Sequence, residues 1–404
     1  MVPPQFGARI MQDSSPNWLV PIAALLGATF AVVSAELMIS GLLPAIATDV
    51  GVDIPTAGLL ISGYAVGVAV AGPLLALVTS AIPRKTLLLV VMAVFLAGNL
   101  MSALSTDYAM LLGSRILTSA CHGVFFGVAM VIATSLAPAG RQAMAVSLVT
   151  AGVNAATIIG VPLGVAIGNG YGWRAPFWAL LIVGAVASLI IMLLIPAIPQ
   201  RREAGNLRRE LAAAMRPIAL LCYSNIALLM VGYFSVVTYI APFLTDAVGV
   251  SMDNVPWVLF AISIAGFGGN LIGGRLGDRY PHATMIGAIS IAGFLFVVLS
   301  LVATNTPVAV VVMFFAWTCG FAFAAPTQTR LLREVADAPN FGSTLLSTAF
   351  QVGIASAAAL GGAAISAGWA YQQLPLMGAS AMAAGLIGTL LLIRLDRRRV
   401  LATA

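Results

Sequence analysis

The sequence predicts an all-α membrane protein of twelve transmembrane helices, arranged as two pseudo-symmetric six-helix halves. Three observations carry that prediction. The first is composition: of 404 residues, 61% are hydrophobic and only 8% are Asp, Glu, Lys or Arg. A soluble domain carries roughly 25% charged residues. The mean hydropathy of +1.05 agrees. So few charges cannot cover a water-exposed surface. The second is the form of the apolar runs, which are long and continuous rather than alternating and so exclude a membrane β-barrel. The third is where the charges fall.

A helix needs roughly 20 apolar residues to cross the hydrocarbon core. Windows of about 19 residues place six spans near 18–46, 56–80, 86–104, 109–135, 143–167 and 174–196. A polar stretch, QRREAGNLRREL, follows. Six more spans lie near 217–243, 255–276, 283–303, 308–328, 342–366 and 375–394. The organisation expected is a tail (1–17), a first half (18–198), a linker (199–216), a second half (217–395) and a basic tail (396–404). The first 16 residues hold Arg9, Asp13 and three prolines without an apolar core and cleavage site. They read as a cytoplasmic tail rather than a signal peptide.

Charge placement supports the count. With both termini inside, 17 of the 19 cations fall on the cytoplasmic side, leaving Arg174 outside and Arg115 within the membrane. That asymmetry is the positive-inside pattern, so the net charge of +6 is a topology signal and not a nucleic-acid surface. Cys121, Cys222 and Cys319 all lie in apolar runs and imply no disulfide framework.

The halves also resemble each other. Gly51-Val52 recurs as Gly249-Val250, an offset of 198. The same offset carries Pro83 onto Pro281 and Ser80 onto Asp278. Duplicated six-span halves are a common plan of secondary transporters, with the substrate site between the halves near mid-membrane.

Several chemistries are missing. The sole lysine sits in Arg84-Lys85-Thr86, so there is no phosphate-cradling loop ending in Gly-Lys-Ser/Thr. His122 and His282 are too far apart for a zinc-protease helix. No G-x-S-x-G elbow is present, and no ring of charged residues suggests a channel. No catalytic residue, metal site, cofactor or nucleic-acid partner is expected. The expected partners are a small-molecule substrate, protons and the lipid bilayer, and the expected state is a monomer driven by a gradient.

Ionisable groups inside a span cost about +2.5–3.5 kcal/mol each on insertion scales. Three stand out: Glu36 in span 1, and Arg115 and His122 in span 4. Arg115 and His122 are seven apart and share a helical face. At 1.5 Å per residue they lie about 10 Å and about 20 Å from the outer end of span 4, and Glu36 lies about 15 Å deep in span 1. One polar cluster follows if spans 1 and 4 face each other. It could couple transport to protons, because burial opposes the charge of a carboxylate and a neighbouring cation favours it. The alternative is a structural ion pair between Glu36 and Arg115 that holds span 1 against span 4, with His122 a packing residue.

Other polar and aromatic side chains are candidates for lining a substrate cavity: Tyr64, Asn154 and Thr157 in the first half, and Tyr223, Asn225, Tyr233, Tyr239, Trp317, Gln328 and Gln351 in the second. Each could instead bond or pack between helices. Span 5 carries Gly152, then Gly160-Val161-Pro162-Leu163-Gly164, and Gly168. Small residues four apart permit close helix packing, and the proline bends the helix.

This run resembles the antiporter motif of proton-driven exporters in the major facilitator superfamily, where it is held to be a hinge. Gly274-Arg275-Leu276-Gly277-Asp278-Arg279, read as a loop after span 8, resembles the superfamily signature G-x-L-x-D-R. The resemblance implies that Asp278 and Arg279 help to latch the halves in the outward-open state. The matching segment after span 2 keeps Arg84 and Lys85 but has Ser80 in the place of the acid. Arg115 through Gly127 is similar to the family's membrane arginine motif, linked to proton transfer. Glu36 with Gly41-Leu-Leu-Pro44, Gly172-Trp-Arg174 with Phe177-Trp178, and Tyr239-Ile-Ala-Pro242-Phe-Leu244 narrow the match to the arabinose-efflux-permease-like branch of the twelve-span drug:proton antiporters. That branch also includes chloramphenicol, sugar and purine-nucleoside exporters. The resemblance implies export of drugs or antibiotics across a bacterial inner membrane by alternating access. Glu36 would carry the proton, Arg115 would tune it, and His122 would relay it or bind substrate. Alternatives are a metabolite exporter of the same family and a non-transporting membrane sensor.

Overall fold

The computed structural model describes residues 18–79, 82–197, 212, 214–336 and 339–403. The tail 1–17 and most of the linker 199–216 lie outside them, as does Ser80. The described residues form no strand, and twelve helices are long and apolar enough to cross a membrane.

Span 1 is Leu19–Leu37, continued after one residue by Ile39–Val50; spans 2 to 4 are Ile54–Val78, Arg84–Ala103 and Tyr108–Leu136. Span 5 is Gln142–Ala155 and Val161–Tyr171, joined by a π-helical turn over Ala156–Gly160, and span 6 is Ala175–Leu194. Span 7 is Pro217–Val237, followed by the short pieces Ile240–Pro242 and Phe243–Ala247. Spans 8 to 12 are Val255–Arg279, Pro281–Val302, Thr306–Glu334, Pro339–Ser366 and Leu374–Thr403.

The two halves repeat local devices at the offset of 198. Gly51 and Gly249 both adopt left-handed backbone, φ 70° and 79°, conformations that cost glycine little. They close the turns into spans 2 and 8. Asp107 caps span 4 by accepting the Met110 N–H at 2.8 Å, and Asn305 caps span 10 by accepting the Val308 N–H at 3.4 Å. Pro44 and Pro242 each follow an interruption, in spans 1 and 7. Proline lacks the N–H that would continue the ladder.

Three boundaries differ from the sequence reading. Gly274–Arg279 is no loop: it forms the last turns of the span 8 helix, and Tyr280 alone precedes span 9. Pro281 explains this, since proline starts a helix readily at its first position. Span 10 runs on to Glu334, so Gln328 lies inside it. The span 12 helix continues through the basic tail.

Within the first half, span 5 lies along span 1 through its glycines. A side chain on Gly152 would meet the Leu26 carbonyl and Thr29; on Gly160, Ser34 and Phe30; on Gly164, Met38; on Gly168, Leu42. The π turn above Gly160 follows from Pro162, which breaks the regular ladder, and the Val161 N–H bonds five residues back to the Ala156 carbonyl. Between the halves, span 2 packs on span 11 and span 5 on span 8. Three side-chain hydrogen bonds between described residues cross that boundary: Ser62 to the Ala355 carbonyl, Asn169 to the Met252 carbonyl, and Gln351 to Glu36. All lie at mid-membrane or toward the end opposite the termini.

Candidate functional site

The ladder of span 1 is interrupted at Met38, where the Gly41 N–H bonds the Met38 carbonyl three residues back. An interrupted helix inside a membrane leaves backbone carbonyls that lipid cannot satisfy. Arg115 satisfies them. Its side chain is 1% exposed. It donates from Nη1 to the Ala35 carbonyl at 2.8 Å and from Nη2 to the Glu36 carbonyl at 3.3 Å. The guanidinium also lies 4.2 Å from the Tyr64 ring centroid, within range of a cation–π attraction.

The Glu36 carboxylate therefore takes other partners. Its Oε2 is 3.3 Å from His122 Nδ1, and its Oε1 accepts a hydrogen bond from Gln351 Nε2 at 2.9 Å. Spans 1 and 4 do face each other, and the side-chain pair is Glu36–His122 rather than Glu36–Arg115. The Tyr64 hydroxyl lies 3.1 Å from the same imidazole nitrogen. With a proton on Nδ1, His122 donates to the carboxylate. With Nδ1 bare, it accepts from Tyr64. The chain Tyr64–His122–Glu36–Gln351 thus joins spans 2, 4, 1 and 11 and can reorganise around one proton. Beside it lies a small cavity of about 10 Å³, lined by Glu36, Ser40, Tyr64, Phe234 and Ile354 among others. That is room for about one water.

Residues 25–358 match the Major Facilitator Superfamily. The chain belongs to the major facilitator superfamily. Over 382 residues it is 37% identical to "Inner membrane transport protein YdhP" of Escherichia coli (strain K12), covering 94% of this chain and 96% of that one. Over 392 residues it is 32% identical to a "Chloramphenicol resistance protein" of Streptomyces lividans, covering 95% and 98%. Among solved structures, a bacterial homolog of the human lysosomal transporter Spinster, inward-facing and unoccupied, superposes with a TM-score of 0.72 at 16% identity, covering 94% and 96% of the two chains. The transporter FucP in its outward conformation gives 0.63 at 16% identity, covering 93% and 99%. These two share the fold.

In this superfamily member the other candidate residues divide into groups. Tyr64 and Gln351 join the Glu36 chain. Asn154 is half-buried on span 5, where its carbonyl accepts from Thr157. Asn225 bonds Thr389 of span 12 at 3.3 Å. Tyr233 donates to the Ala316 carbonyl and packs edge-to-face against Trp317 and Phe296. Those three therefore sit in the core of the second half, not beside Glu36. Tyr223 donates to the Gly342 carbonyl, and Tyr239 to the Ala358 carbonyl with span 2 close by at Gly58. Lys85 caps span 6 through the Met192 carbonyl at 2.7 Å. Arg84 opens span 3. Arg279 lies 5.3 Å from the Tyr280 ring centroid.

Sequence reasoning missed one polar cluster. At the termini end of the second half, Arg330 donates to both Asp396 oxygens (2.6 and 3.2 Å) and to Glu334 at 3.1 Å. His282 Nε2 lies 3.9 Å from Asp396. Asp278 and Gly274 line a cavity of about 230 Å³ beside it. The i,i+4 spacing of Arg330 and Glu334 was the available signal; the partner on span 12 had none. Among the described residues, no group of three or more His, Cys, Asp or Glu could hold a metal ion.

Proposed function

We propose that this transporter exports small amphipathic molecules, drugs or antibiotics among them, across a bacterial inner membrane in exchange for inward-moving protons. Glu36 is the proton carrier. The observation that carries the reading is the place of that carboxylate: it is buried midway along span 1, at the interruption, beside an imidazole and hydrogen-bonded to a residue of the opposite half. An acid is costly at this depth, and a packing role needs none. Arg115, occupied by backbone carbonyls, supports the joint in span 1 rather than neutralising the acid. The charge asymmetry of the loops supports cytoplasmic termini. The relative named for chloramphenicol resistance supports an amphipathic substrate.

One proton falling through 100 mV releases about 2.3 kcal/mol, and one pH unit adds about 1.4. Together these sustain a roughly 500-fold substrate gradient.

The test is proton release from inside-out vesicles energised to an acidic interior. Chloramphenicol-like drugs, lipophilic cations, pentoses and nucleosides are added in turn, beside a Glu36→Gln variant. Release on adding drugs, abolished in the variant, is the expected result. A response confined to pentoses or nucleosides would reassign the protein to metabolite export. Undiminished release in Glu36→Gln would refute the carrier assignment.

A further inference from the structure

Among the described residues three side-chain hydrogen bonds join the halves, and two of them end on backbone carbonyls, those of Ala355 and Met252. A proton does not alter either. The third, Gln351 to Glu36, ends on a titratable group. We propose that Gln351 is the positioning residue that makes closure of the end opposite the termini depend on the charge of Glu36; this rests on the reading of Glu36 as the proton carrier.

The physical argument has three steps. A hydrogen bond onto an ionised carboxylate is stronger than one onto a neutral acid. Protonating Glu36 therefore weakens the one side-chain tie between described residues of the two halves that is sensitive to charge. Span 11 carries both ends of this arrangement on one face, since Gln351 meets span 1 and Ala355, one turn on, meets Ser62 of span 2.

The amide is also an expensive choice for packing. Gln351 is 5% exposed, and its Oε1 is buried without a hydrogen-bond partner. A buried unsatisfied polar atom is unfavourable, so methionine would fill the same space at lower cost. What glutamine adds is the N–H that reaches Glu36.

The groups facing Glu36 from the packed elements are His122 and Arg115 on span 4, Tyr64 on span 2 and Gln351 on span 11; span 7 contributes the apolar Phe234. Replacing Gln351, itself not titratable, leaves every titratable member in place.

The experiment measures the distance between spin labels at Thr106→Cys and Thr304→Cys, in loops at the end opposite the termini, with Cys121, Cys222 and Cys319 replaced by alanine. It is run in nanodiscs across a pH series. In the parent protein the closed-to-open ratio is expected to fall roughly fivefold on acidification, the step from a charge-assisted to a neutral bond. In Gln351→Met that response should be lost. In Gln351→Glu it should reverse, because two carboxylates at hydrogen-bond distance repel when both are ionised and can share a proton when one is not. An acid response in Gln351→Met equal to the parent's, or none in the parent, would overturn the proposal. Failure of the carrier assignment is read separately, from proton-driven transport that survives in Glu36→Gln.

Discussion

Arg115 reaches the Ala35 carbonyl at 2.8 Å and the Glu36 backbone at 3.3 Å, and leaves the carboxylate of Glu36 to His122. The cation in this membrane protein is held by a broken helix, not by an acid. An interrupted helix ends in partial negative charge, and a planar guanidinium can serve two adjacent carbonyls at once.

Arg115→Ala should therefore destabilise the fold more than Glu36→Gln does. Two charge-assisted bonds of about 1.5–3 kcal/mol each are removed, so a loss of about 3 kcal/mol or more is expected. Glu36→Gln keeps an acceptor for Gln351 and should change stability by about 1 kcal/mol or less. Thermal unfolding in detergent compares the two; equal losses would contradict the assignment.

The glycines of span 5 should not be equally sensitive. A Cβ on Gly152 would lie 2.6 Å from the Leu26 carbonyl oxygen, a backbone atom, whereas one on Gly164 would meet the Met38 side chain at 3.3 Å. Backbone cannot step aside and methionine can. Gly152→Ala should cost about 1–3 kcal/mol, and Gly164→Ala should be close to neutral. Gly164→Leu should block movement of span 5 over Met38 and slow transport. Expression level, melting temperature and vesicle uptake of the three variants check the order.

How much of this was legible beforehand varies by residue. The depths of Glu36, Arg115 and His122 followed from a fixed rise per residue, and their clustering followed from depth. The pairing did not, because residues seven apart share a face and either base could have met the acid. What decides it is the interruption at Met38, which frees carbonyls that outcompete the carboxylate for Arg115. Tyr233 and Trp317 show the other limit. A helix apolar on all sides gives no indication of which face an aromatic ring presents, so residues in the core of one half read like residues of a shared cavity.

Tyr64→Phe separates two roles of one side chain. It keeps the ring near Arg115 and removes the hydroxyl that lies 3.1 Å from His122 Nδ1. Proton-driven transport is expected to slow several-fold while the melting temperature moves little. The pH–rate profile of the variant is the measurement. An unchanged profile would remove Tyr64 from the proton chain.

Asp53, in the turn before span 2, accepts the Thr56 N–H at 2.9 Å. Hydrogen bonds from Thr56 hold its carboxyl below the ordinary 3.8. A lowered folded value means the contribution is complete above the unfolded value and fades as pH falls through the folded one. The stability gap between the parent and Asp53→Ala should thus be constant near neutrality and close only below pH 3.8. Chemical denaturation at several pH values reads it.

The interruptions of spans 1 and 7 are built to one plan, with Pro44 and Pro242 at the shared offset, but the two copies carry different side chains. Phe234 stands where the repeat places Glu36, and Met313 where it places Arg115; Glu36 and Phe234 border the same small cavity. Duplication doubled the joint without doubling the charge. At this depth the described residues offer one carboxylate, so under the proposed exchange Glu36 would be the single acid there to take up a proton, whatever the cargo.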